Sequence, residues 1–162
     1  MIFSLYNKQF LKAKSSEMKK QIWLTISREI CAHDAMENVV IYPLIAQYMK
    51  DGDKLSSESL KEHSQIARLL QEMMHMSVDS DSFMHAAEDV MRLFKEHIEK
   101  EESILIPFMR ENMNEKQLRL LHAAINDAKT IAPHSPLPSD EWFSGPMTTS
   151  FELLKDSLIH PE

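Results

Sequence analysis

An all-α fold built from long helices is what this sequence predicts, on three observations. The 162 residues include only two glycines, which excludes glycine-rich phosphate loops and leaves little material for tight hairpins. The strong helix formers Leu, Met, Glu, Lys and Ala are abundant. Apolar residues also recur three and four positions apart over long stretches, the spacing of one buried helical face. The length suits one domain, large enough to bury a core without cross-links.

Taken in order, the pattern begins with a short amphipathic segment at about 2–13. A long helix follows from about Ser16 to Met49, stopped at Asp51-Gly52-Asp53. A second runs from about Ser57 to Met76, with Ser56 or Ser57 as N-cap, and a serine- and aspartate-rich turn occupies 77–82. The third covers about 82–111 and the fourth about 114–131, capped by Asn114. Pro43 and Pro107 fall late in their helices, where a missing N–H bends or ends the rod. From Pro133 the composition changes. The expected division is a helical bundle over 1–132 and a proline-containing tail over 133–162, laid against the bundle and carrying a last short helix near 148–159.

Charge and composition narrow the function classes. A net charge of -7 and a pI near 5.6 argue against nucleic acid or an anionic membrane surface as partner, since either would select a basic stripe. Nowhere do about 18 apolar residues run together, so no membrane span is expected. Cys31 is the single cysteine, which excludes an internal disulfide and favours a reducing, cytoplasmic setting.

The buried seams carry the chemistry. In the first long helix Trp23, Ile26, Ile30, His33, Glu37, Val40 and Leu44 alternate three and four apart, so His33 and Glu37 occupy core positions. In the second helix Leu60, His63, Ala67, Leu70 and Met74 follow the same rule. In the third, Ala87, Val90, Phe94, His97, Glu101, Ile104 and Phe108 do so again. The stretches HDAMENVVIYP and HIEKEESILIP echo one another, with His, Glu and Pro at the same offsets. Three histidines and two glutamates are thus expected to face one interior. A buried unpaired carboxylate costs several kcal/mol or becomes neutral, and no Lys or Arg holds an inward position. A metal ion is the economical counter-charge. Imidazole with carboxylate suits iron, manganese or zinc, and residues four apart lie about 6 Å apart on one face. Two such pairs on different helices follow the logic of di-metal sites in bundles.

With these residues in view, the sequence resembles the hemerythrin-like HHE cation-binding proteins, especially stand-alone microbial and fungal members. The resemblance spans nearly the whole chain. It rests on His33 with Glu37, on His63 in LKEHSQIARLL, on His97 with Glu101, and on the tail APHSPLP. It implies an up-and-down four-helix bundle with an additional short helix, holding a non-haem di-iron centre; another divalent metal is compatible. Glu37 and Glu101 would bridge the metals, with His63 and His97 on one iron and His33 on the other. The implied partners are metal ions and oxygen, peroxide or nitric oxide, in a sensing, storage or protective role. Two departures stand out. No histidine precedes His33, where the family's first helix carries one and only its later part, FSLYNKQFLKAK, has a counterpart. Ala67 stands where the animal oxygen carriers have a second histidine, which implies an open position or a different ligand. A di-iron oxidase or peroxidase, and a metal-free helical interaction module, remain the alternatives.

Other residues read as structural. His75 with Asp79 and His85 with Asp89 share the four-residue spacing but fall outside the seams, on the surface. His122 reads as solvated or capping, and His134 and His160 have no partner pattern. The twelve methionines are core filler and surface. Cys31, rotated about 200° from His33 on a helix, belongs to packing, and no nucleophile arrangement has matched faces.

Overall fold

The computed structural model describes residues 1–133 and 148–159. The proline-containing part of the expected tail, together with His134 and His160, lies outside the described residues. Among the described residues there is no strand. The elements are α1 (Ile2–Lys8), a 3-10 turn (Phe10–Lys12), α2 (Ser16–Met36), a π-turn (Glu37–Ile41), α3 (Tyr42–Tyr48), α4 (Gly52–Met73), α5 (Asp81–Asn112), α6 (Glu115–Thr130) and α7 (Thr149–Ile159). The run from α2 through α3 forms the first rod of an up-and-down bundle completed by α4, α5 and α6. α4 packs against α3 and α5, α6 against α2 and the π-turn, and α7 against α6. No described helix is long and apolar enough to cross a membrane.

Local signals set the ends. The hydroxyls of Ser15 and Ser80 accept from the N–H groups of Met18 and Phe83, and Asn114 forms a reciprocal capping box with Gln117; each such cap contributes about 1 kcal/mol. The second long helix begins earlier than the expected Ser57. Asp51 takes a left-handed conformation (φ 61°) and α4 starts at Gly52, so the Asp-Gly-Asp stretch both ends one rod and begins the next. A Cβ at Gly52 would lie 1.9 Å from the Ile45 carbonyl oxygen, which is why the turn needs glycine. Ser56 is one turn inside, its hydroxyl donating to the Gly52 carbonyl. The α4 seam is also phased differently from the expected one: Met74 is exposed, and Ile66 and Met73 are buried instead.

The core is in two apolar parts. One gathers Phe10, Trp23, Ile26, Ile30, Ile66, Phe83 and Phe94. The other gathers Val40, Leu44, Ile45, Leu55, Leu105, Leu121, Phe151 and Leu154. Along each rod the predicted donors fall between the two. His33 and Glu37 separate Ile30 from Val40, His63 separates Leu55 from Ile66, and His97 and Glu101 separate Phe94 from Leu105.

Candidate metal centre

α2 and the π-turn present His33 and Glu37, α4 presents His63, and α5 presents His97 and Glu101. All five expected donors converge. Glu37, His63, His97 and Glu101 are buried, and His33 keeps 21 % of its side-chain surface. Donor atoms of His33, Glu37, His97 and Glu101 lie within 4.8 Å of one another. His63 joins on the far side, its Nε2 3.0 Å from His97 Nε2. Glu37 faces two ways: Oε1 lies 2.9 Å from His33 Nε2, whereas Oε2 lies 3.1 Å from His63 Nε2 and 3.3 Å from His97 Nε2. Glu101 Oε2 lies 3.3 Å from His97 Nε2.

Pro43 is one cause of the π-turn. Proline has no N–H, and its ring would strike the carbonyl four residues back in an α-helix. The backbone widens by one residue, and the Tyr42 N–H bonds the Glu37 carbonyl five residues back. Such turns recur at functional sites because they re-aim side chains. Here the widening stacks Tyr42 over Glu37. The Tyr42 hydroxyl lies 3.2 Å from Glu37 Oε2, 3.0 Å from His63 Nε2 and 2.9 Å from Glu101 Oε1.

A second layer orients the first. His97 Nδ1 lies 2.8 Å from Glu62 Oε2, and Lys100 donates to Glu62 Oε1 at 2.7 Å. An Nδ1–H held by a carboxylate leaves the Nε2 lone pair aimed at the cluster, the arrangement that orients metal-binding histidines. Asp34 adds a further carboxylate, its Oδ1 3.6 Å from His63 Nε2.

The charges are those of a site built around a cation. Burial disfavours an ionised Glu37, but His33, His63 and His97 outweigh it and hold the carboxyl well below its usual range. Burial and the Glu37 charge push Glu101 up to about 7. Burial opposes a charge on His97, yet Glu37, Glu101 and Glu62 raise it to about 9. The residues fit a metal by a direct observation as well. Asp34 Oδ1 is buried without a hydrogen bond, and His33 Nε2 faces a Glu37 oxygen at 2.9 Å, so a neutral imidazole with its proton on Nδ1 would set its lone pair against a carboxylate, an approach that a shared cation relieves. A groove of about 220 Å³ reaches the cluster between the first rod and α5, with His33, Glu37 and Glu101 on its lining and Met36, Ile98 and Leu105 among its apolar walls.

The hemerythrin HHE cation-binding domain matches residues 2–109. The chain belongs to that family. Within this hemerythrin family, the match covers α1 to nearly the end of α5, and α6 and α7 lie beyond it. An uncharacterized hemerythrin-like protein of Schizosaccharomyces pombe is 24% identical over 112 residues, 68% of this chain and 55% of that protein. A DNA nickase of Nostoc sp. is 27% identical over 92 residues, 57% of this chain and 26% of the nickase. The matched stretch thus spans about half of the first relative and about a quarter of the second. No solved structure matches the chain.

The residues expected to be structural are so placed. His75, His85 and His122 are exposed. Cys31 is buried in the apolar part beside Ile30, with burial pushing its thiol up to about 12. Sequence reasoning missed Tyr42, Glu62 and Asp34. Glu62 precedes His63 and is therefore about 100° round the helix, turned toward α5. Tyr42 would sit about 140° from Glu37 in an α-helix; Pro43, next to it, is the one signal that this register is broken.

Proposed function

We propose that this hemerythrin-family chain is a non-haem iron protein with a di-iron centre held by His33, Glu37, His63, His97 and Glu101. The observation that carries this reading is the divided Glu37 carboxylate, one oxygen facing His33 and the other facing His63 and His97. That is the posture of a bridging ligand, with Glu101 closing the cluster from α5. Once bound, iron would supply reversible electron exchange with oxygen, peroxide or nitric oxide, in sensing, storage or protection. The protein's own share is to hold five donors in a dry interior, to fix His97 through Glu62, and to admit a small molecule along the groove beside His33. The net charge of -7 keeps nucleic acid out of this reading, and the lone cysteine favours a reducing, cytoplasmic setting.

Anaerobic loading with Fe(II), exposure to air and dialysis test it. Two irons retained per chain by mass spectrometry are expected; a value near zero would sink the proposal. The groove supports a second reading, turnover of peroxide, because it gives a small molecule a path to His33, Glu37 and Glu101. Catalytic peroxide consumption by the loaded chain, lost in Glu101→Ala, would favour that reading over stoichiometric reaction.

A further inference from the structure

The Tyr42 hydroxyl is buried among three groups assigned above to the metal. A hydroxyl carries one proton and can donate to only one of them at a time. Without a metal, the remaining approaches need a proton on Glu101 or on His63 Nε2. The spacings point elsewhere. For metal bonds of about 2.1 Å, neighbouring ligand atoms of an octahedron are about 3.0 Å apart. His63 Nε2 and His97 Nε2 are 3.0 Å apart, and Glu37 Oε2 is 3.1 Å and 3.3 Å from them. The Tyr42 oxygen keeps the same intervals, 2.9–3.2 Å, to Glu101, His63 and Glu37.

We propose that Tyr42 is itself a metal ligand, binding as phenolate beside His63 and His97. The inference rests on the metal reading above. On binding, the phenolic O–H bond breaks, its electron pair goes to the metal and the proton leaves to solvent. Proton and cation therefore exchange for one another. The placement answers a shortage on α4, where Ala67, one turn beyond His63, offers no donor. The π-turn makes it possible, since an unbroken α-helix would carry the ring away from Glu37.

The test is resonance Raman spectroscopy of the air-oxidised, iron-loaded chain, made with ordinary and with ring-deuterated tyrosine, alongside a count of iron per chain. A visible charge-transfer band is expected, enhancing ring vibrations that shift on deuteration. It should vanish in Tyr42→Phe and persist in Tyr48→Phe. Iron bound by the unaltered chain without tyrosine ring modes would overturn the proposal and leave the metal reading standing. Ring modes surviving in Tyr42→Phe would overturn it too. A chain that binds no iron would remove both readings at once. If the Tyr42 variant fails to fold, the isotope shift in the unaltered chain together with its persistence in both Tyr6→Phe and Tyr48→Phe assigns the ligand among the three tyrosines.

Discussion

The segments His33–Pro43 and His97–Pro107 carry His, Glu and Pro at the same offsets and fold differently. The first breaks into a π-turn at Glu37–Ile41, whereas α5 stays α-helical through Pro107. Proline alone therefore does not set the turn. The surroundings do: Val39 to Tyr42, Leu44 and Ile45 are buried, so the first rod cannot splay outward to relieve its proline. Both prolines are at the surface, but beyond Glu101 fewer neighbours are buried: Leu105 is buried, whereas Ile106 is 41% exposed. The supports differ as well. His97 is backed by Glu62, while His33 stands beside the groove. One motif, used twice, has become an arm at the groove with a tyrosine and an interior arm backed by the Glu62 carboxylate.

Breaking the two arms separately should expose that difference. The largest effect is expected from Glu37→Ala, which removes both oxygens shared among three histidines and should bring retained iron to near zero. Glu101→Ala should leave measurable iron, with the loss in affinity exceeding about 100-fold in a chelator competition. Equal losses would make the arms equivalent. Next comes Glu62→Gln, which frees His97 without touching a donor; affinity should fall about 10- to 100-fold, and an unchanged titration would mean that His97 is oriented by packing alone. Pro107→Ala should stabilise the metal-free chain by about 1–3 kcal/mol in denaturant unfolding, because an N–H is returned to a helix interior. Pro43→Ala should instead weaken iron binding, by releasing the π-turn.

The smallest expected effect is one of sign with pH. Glu101 has its pKa raised from 4.5 to about 7; a raised acid favours the folded state below its ordinary value and loses that contribution as pH rises through the folded one. His97, raised from 6.5 to about 9, does the same over the higher window. The depressed Glu37 acts oppositely, but only below its ordinary value of 4.5. The metal-free chain should therefore lose stability between about pH 5 and pH 9. Metal affinity should rise over the same range, since cation and proton compete. Unfolding curves with and without iron should slope in opposite directions.

The helices and the convergence of His33, Glu37, His63, His97 and Glu101 were legible in the sequence because a three-and-four seam reports which face turns inward, and all five lie on it. It was silent where the chain leaves the ideal rod. Tyr42 became visible only after one extra residue was wound into the turn before Pro43. Glu62 lay off the seam, since a carboxylate that serves a histidine on another helix answers to that helix's position. The start of α4 depended on the left-handed Asp51, a backbone choice that no hydrophobic period records. Met74 was read inward because the periodic count was carried one residue out of phase.

The separation of the apolar interior into two parts has a mechanical consequence. Three rods run through both, and between them lies a septum of imidazole and carboxylate with little apolar grip of its own. With the septum bare, the two oily ends are coupled by the rods and by hydrogen bonds such as those of Tyr42 with Glu101 and of His97 with Glu62, and backbone amides on either side can open on separate clocks. With the septum clamped by a cation, the ends must open together. Occupancy of the interior would then be felt as rigidity at both ends of the bundle, and amide exchange with and without iron would read it.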